Sequence, residues 1–151
     1  MERDKIDILG LAEIRCKEEK IMKTKKQNIF YHTRSEGVRG VGFLVSSGIA
    51  RNIEAFTEIS DRIATIEIQL GEEILLIVQV HAPTLGSDTE EIDMFYKEVN
   101  KIINRKVNRK VNLIIIGDLN SQIGKREPGE EKIVGPYHLS LIHISEPTRP
   151  Y

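Results

Sequence analysis

The sequence predicts an α/β fold, with two or more sheeted layers and at least one helix outside them. Three observations carry that reading. First, RIATIEIQL (62–70) alternates cleanly: Ala64, Ile66, Ile68 and Leu70 face one side, and Thr65, Glu67 and Gln69 face the other. That is the pattern of a half-buried strand. Second, the chain turns at GEE (71–73) and returns as the more apolar ILLIVQV (74–80), so the pair reads as an antiparallel hairpin. Third, SDTEEIDMFYKEVNKII (87–103) sets Ile92, Phe95, Val99, Ile102 and Ile103 at helical spacing behind a Ser87/Glu90 capping box. The apolar run at 111–116 follows. Strand, helix and strand in that order form a βαβ-like crossover, because the connection is long enough to hold the helix.

The remaining elements follow in chain order. IDILGL (6–11) reads as a short buried strand ending near Ala12 and Glu13. Residues 13–27 are charge-rich and suit a short helix or a loop, with the lysines of KEEKIMKTKKQ on a solvated face. NIFYHT (28–33) is aromatic and β-prone, SEGVRG (35–40) is a Gly-punctuated turn, and VGFLVS (41–46) is a strand. KVNRKVN leads into the buried strand at 111–116. After Gly124 the pattern is lost: KREPGEEKIVGPYH is a polar loop, and SLIHISEPTRPY continues no period.

Totals bound the function classes. The 151 residues suit one domain with a sizeable core. With 22 basic and 23 acidic residues the formal net charge is −1, so no global positive field advertises nucleic acid. Binding it would need a local basic face. The one cysteine, Cys16, excludes a disulfide framework within the chain and fits a reduced, intracellular setting. No apolar run approaches the ~20 residues of a membrane span, so no membrane partner is expected. The charged start MERDKIDILGLAE is not a secretory signal.

Chemistry-bearing residues gather at strand ends. The apolar LIII run empties into Gly117, Asp118 and Asn120. Asp and Asn after a strand most often cap a turn, and the alternative is a site at the carboxyl end of the strand. Glu13 stands at a comparable place after ILGL. If the two strands are parallel neighbours, Glu13 and Asp118 share a cleft. Hard oxygen ligands of that kind suit Mg²⁺, which takes one or two carboxylates plus water and substrate phosphate. Asn120 would orient a nucleophile or bind a phosphate oxygen. His81, in VHAPT (80–84), ends another strand that Pro83 terminates. On chemistry alone it reads as a packing or surface residue, with a phosphate contact as the alternative. Cys16 reads as structural, and His32, His138 and His143 form no ligand spacing. No Gly-rich phosphate loop is present.

Four segments in order, DILGLAEIR, RGVGFLVSSGIA, IVQVHAPT and LIIIGDLNSQIGK, resemble the endonuclease/exonuclease/phosphatase superfamily. Within it they look most like the endonuclease domain of LINE-type retrotransposons, in the group labelled craniofacial development protein 2-like. The resemblance covers residues 4 to 139. It implies a DNase I-like, four-layered α/β sandwich, with two mixed sheets face to face and helices outside. It implies Mg²⁺-dependent (or Mn²⁺-dependent) phosphoester cleavage, with the DNA phosphate backbone as partner and the nucleus as a fitting compartment. Glu13 falls on the family's metal-binding glutamate, although Ala12 stands where many members have glutamine. Asp118 falls on the aspartate that orients or deprotonates the attacking water, and Asn120 on its companion asparagine. His81 falls where a tyrosine near the scissile phosphate is usual. Thr84 replaces an asparagine common outside the retrotransposon branch.

The same resemblance implies that parts of the site lie elsewhere. Nothing before Asp4 supplies the first-strand asparagine, and nothing after Asn120 resembles the half that brings a histidine and further aspartates. The expectation is a partial domain over 1–139 and a non-native tail over 140–151, which looks like translated sequencing-adapter DNA. Such a fragment would be inactive as written, and would fold poorly alone because its sheets keep open edges. Two other readings stand beside it: a phosphatase acting on small phosphoesters, and a non-catalytic module. In the latter, Lys101, Arg105, Lys106, Arg109 and Lys110 would give salt-sensitive DNA affinity or merely a solvated helix end.

Overall fold

The hairpin forms where the alternation puts it. Strand β6 (Ile63–Leu70) pairs antiparallel with β7 (Glu73–His81), from Ile63↔Val80 to Leu70↔Glu73. The computed structural model describes residues 6–17, 21–24, 28–35, 37, 39–84, 86–105, 110–121 and 128–129. The chain divides into two compact units, Met1–Asn120 and Ser121–Tyr151, and the described sheets and helices belong to the first. The expected boundary at residue 139, the tail, His138 and His143 lie outside the described residues.

The elements before the hairpin are β1 (Ile8–Ile14), β2 (Ile21–Lys23), β3 (Ile29–His32), β4 (Gly40–Val45), α1 (Ser47–Ala50) and β5 (Ile53–Ser60). Those after it are α2 (Thr89–Ile103) and β8 (Val111–Asp118). One sheet has the order β1-β4-β3-β2 and the other β5-β6-β7-β8. The first pairs only antiparallel among the described residues. The second is mixed, because the α2 crossover returns β8 parallel to β7, in register from Ile74↔Val111 to His81↔Asp118. This is a partial α/β sandwich.

Two apolar clusters hold it together. Between the sheets, Tyr31, Val41, Phe43 and Val45 meet Ala64, Ile66, Ile68 and Ile77. On the other face of the mixed sheet, Ile63, Leu76, Val78 and Val80 meet Phe95 of α2, with Val99 and Ile102 packed beside it. β7 is therefore covered on both faces, which explains its near-continuous apolar run. Each fully buried isoleucine here, such as Ile63, Ile66 and Ile68, contributes roughly 1.5–3 kcal/mol.

The structure departs from the sequence expectations at several places. Within the charge-rich 13–27 stretch, Ile21–Lys23 forms a short edge strand on β3, not a helix or loop. Thr65 is buried because α2 covers the face that alternation assigns to solvent, while Leu70 at the strand end is exposed. The helix begins at Thr89 with Asp88 as N-cap, so Ser87 is not the cap, and Ile103 points to water. The largest change concerns 111–116. Among the described residues β8 is the edge strand of its sheet, and Leu113, Ile114 and Ile115 are 37%, 46% and 37% exposed. An uninterrupted apolar run reads as buried, yet here the described residues leave much of it open. Among the described residues, no helix is long and apolar enough to cross a membrane.

Candidate functional site

The four candidates lie on three strands in two sheets. Glu13 is on β1, His81 ends β7, and Asp118 ends β8 with Asn120 just beyond. β1 and β8 are not neighbours in one sheet, as a shared cleft between parallel strands would require. β1 instead packs across β7 and β8 from the facing sheet. Gly10 marks the crossing: a Cβ there would sit 2.0 Å from Gln79 Oε1 and 2.7 Å from Ile116 Cδ1. Gln79 and Ile116 are register partners, and His81 and Asp118 are the next pair on the same face, two residues further along.

Local backbone geometry then departs from the regular at the candidates themselves. The β1–β4 register shifts between Leu11 and Ile14, and Glu13 inside that bulge has φ +58°. A bulge breaks the inward–outward alternation and re-aims a side chain. Asn120 has φ +45°. Among the described residues these two are the non-glycine positions with positive φ, a conformation that costs an L-residue ~1–2 kcal/mol.

At the end of β8 the chain is stitched to β7. The Ala82 amide donates to the Asp118 carbonyl at 2.8 Å, and the Asn120 side-chain amide donates to the Ala82 carbonyl at 2.7 Å. The Asn120 backbone amide donates to Asp118 Oδ1 at 2.9 Å. The turn reading of Asp118 and Asn120 is therefore right as far as it goes, since the aspartate closes an Asx-type turn. That turn also leaves the Asp118 side chain exposed at the strand end. Gly117 makes the approach feasible: its φ is +137°, and a Cβ would lie 1.9 Å from the Val80 carbonyl oxygen.

His81 is 7% exposed, and its Nδ1 is buried without a protein hydrogen-bond partner. Leaving such a group unpaired costs ~1–3 kcal/mol. Its main chain is better held. The His81 amide donates to the Arg62 carbonyl at 2.9 Å, and Arg62 Nη1 donates back to the His81 carbonyl at 3.2 Å. Arg62 Nε and Nη2 donate to Glu91 Oε1 at 3.2 and 2.9 Å, and Arg39 reaches the same oxygen at 3.1 Å. The hydrogen bond from Arg62 holds the Glu91 carboxyl below its ordinary pKa, against opposing desolvation. Sequence reading missed Arg62 and Glu91. The one local signal was a charged residue heading an apolar strand.

Other expected residues are placed elsewhere. Cys16 is a half-buried free thiol. His32 is fully buried, its Nδ1 2.9 Å from the Thr33 carbonyl. Of the basic residues near 101–110, Arg105 pairs with Glu67 at 2.8 Å and Lys110 with Glu73, while Lys106 and Arg109 lie outside the described residues. A depression of about 390 Å³ beside α2 is lined by Arg62, Glu91 and Phe95, among others, and none of the four candidates lines it.

Two facing sheets with candidate polar groups at the carboxyl ends of β7 and β8 define the molecule as part of an α/β sandwich. Comparison with known proteins gives a more particular likeness. The chain is 29% identical over 143 residues to Craniofacial development protein 2 of Bos taurus, covering 93% of this chain and 24% of that protein. It is 28% identical over 143 residues to Craniofacial development protein 2 of Tragulus javanicus, with the same coverage. The chain thus spans about a quarter of the length of these curated relatives. No family model matches it.

Proposed function

We propose that this chain carries part of the site of a divalent-cation-dependent phosphodiesterase of the endonuclease/exonuclease/phosphatase superfamily, of the retrotransposon type, acting on DNA. The observation that supports it best is the coincidence of backbone strain with the candidates. Glu13 and Asn120, chosen for their chemistry, are the two described non-glycine residues held at positive φ. Strain of this kind persists where the surroundings over-determine it, and it concentrates at functional sites.

In this reading Glu13 holds Mg²⁺ or Mn²⁺. Among the described residues no group of three or more His, Cys, Asp or Glu could hold a metal ion, so the ion would take at most one or two protein carboxylates, Glu13 among them, with water and substrate phosphate as the other ligands. Mg²⁺ accepts that arrangement and a structural zinc does not. When bound, the cation offsets charge on the phosphoryl oxygens. Asp118 orients or deprotonates the attacking water from a rigid strand end. Asn120 holds the turn that aims it and places an amide beside the phosphate. His81, ending the adjacent strand, faces the phosphate in the place of a phenol.

The activity belongs to the longer protein, and its test uses that protein with supercoiled plasmid and Mg²⁺. Nicking is expected, and Asp118→Ala should lower it by roughly 10²–10⁴-fold, the usual contribution of a positioned acid–base group. Phosphate release from inositol phosphates without nicking would favour the phosphatase alternative. Nicking indifferent to Asp118→Ala would remove the assignment.

A further inference from the structure

We propose that Arg62 is a positioning residue for the candidate site: anchored on Glu91, its guanidinium holds the end of β7 and so fixes His81. The inference rests on the functional reading above for its meaning, but it is testable without any cleavage measurement.

Among the described residues, the His81 ring has no hydrogen-bonded anchor at its buried Nδ1, so no such bond there orients the ring. Orientation must come from packing and from the backbone that carries the ring. That backbone lies at the last paired position before the chain leaves the sheet toward Pro83. A strand terminus of this kind frays unless its polar groups are engaged. Both main-chain groups of His81 end on Arg62: the amide on its carbonyl at 2.9 Å, the carbonyl on its Nη1 at 3.2 Å.

The guanidinium is itself immobilised. Its side chain is 13% exposed, and two of its nitrogens grip one oxygen of Glu91, which Arg39 also binds. Glu91 sits on α2, whose Phe95 packs on the mixed sheet, so the anchor belongs to a core element. Arg62 thus holds His81 from the β6 side, while the Asp118–Asn120 turn holds Ala82 from the β8 side. The planar fork reaches Glu91 with Nε and Nη2 and the His81 carbonyl with Nη1, three donors on separate nitrogens in fixed geometry. A lysine offers one point of charge.

The rival explanation is that Arg62 and Glu91 merely tie α2 to the sheet. The two differ in where the effect of removing Arg62 appears. Hydrogen-exchange mass spectrometry on the full chain reads backbone protection along β7, and exchange at the histidine C2 position reads each imidazole separately. With Arg62→Lys and Arg62→Gln, exchange at His81 and Ala82 amides should rise about tenfold, the loss expected for one charge-assisted hydrogen bond. The His81 ring rate should change while that of His32, buried in the other sheet, stays at the wild-type value. Glu91→Gln should act in the same direction but less, because the guanidinium remains. Should Arg62→Gln fail to fold, Arg62→Lys gives the reading. An unchanged His81 ring, or acceleration spread evenly over α2 and β5–β8, would overturn the proposal.

Discussion

Replacing Gly117 by alanine tests the junction between β7 and β8 that presents Asp118. The added Cβ would lie 1.9 Å from the Val80 oxygen, with the Val80 carbon and nitrogen at 2.8 and 2.9 Å. All three are backbone atoms, so no side-chain rotation relieves the clash. Ordinary contact begins at 3.4 Å, and the strands must part by about 1.5 Å to reach it. That displacement breaks pairing at the strand end, including the 2.8 Å bond from the Ala82 amide to the Asp118 carbonyl. Two lost hydrogen bonds at about 1 kcal/mol each, with about 2 kcal/mol of strain at φ +137°, give about 4 kcal/mol. This is a large share of the ~5–15 kcal/mol that usually holds a domain. Gly71 is the control: its φ is +63° and nothing lies within 4 Å of its Cβ position. Gly71→Ala should cost only about 1 kcal/mol, a left-handed penalty partly offset by a stiffer unfolded chain. Urea denaturation of both variants measures the difference. If the two fall within about 1 kcal/mol of each other, the close approach at Gly117 does not exist as described.

Three further outcomes are expected. Gln79 is 2% exposed, with Oε1 unpartnered and one weak bond at 3.4 Å from Nε2 to the Val80 carbonyl; Gln79→Met should be neutral or stabilising by about 1 kcal/mol, and a loss above that in a thermal melt would show a partner for the amide. Glu73, bonded by Lys110 and Asn112, and Glu91, bonded by Arg62, both have carboxyl pKa values lowered from 4.5, so their stabilisation is present above 4.5 and fades as pH falls through the lower folded values. Glu91→Gln should flatten the acid limb of a stability–pH curve below 4.5, and an unchanged limb would mean the pair contributes nothing. Ile114 is 46% exposed on an edge strand, so Ile114→Lys should lower concentration-dependent light scattering while shifting stability by no more than about 0.5 kcal/mol. Scattering equal to wild type would show that this edge does not drive association.

Much of the fold was legible because its signals are periodic and local. The period of two in β6 marked the hairpin, and the spacing of Phe95, Val99 and Ile102 marked the helix and the face it buries. The crossover followed from order alone. What failed was the covering of each surface, which is a tertiary property. Thr65 and Leu70 sit on opposite sides of the alternation, yet α2 buries the first and the strand end exposes the second. β8 reads as a core strand because an apolar run looks the same at an edge. IMK, at 21–23, is too short to show a period among lysines. At the site, Asp118 and Asn120 were visible as polar residues closing an apolar run. The bulge at Glu13 was not, because it depends on how β4 pairs. The Arg62–Glu91 link joins residues 29 apart and leaves no local trace.

If the proposed function holds, Glu13 on one sheet and His81 and Asp118 on the other border a single divalent-cation site. Mn²⁺ titrated into isotope-labelled chain, in the Ile114→Lys background, tests this without any substrate, because the ion broadens nuclear resonances close to it. Amides at 12–14, 81–82 and 117–120 should broaden together over one range of Mn²⁺ concentration, and Glu13→Gln should remove the effect at all three. Broadening confined to the acidic first turn of α2, or at Glu13 without Asp118, would contradict a shared site.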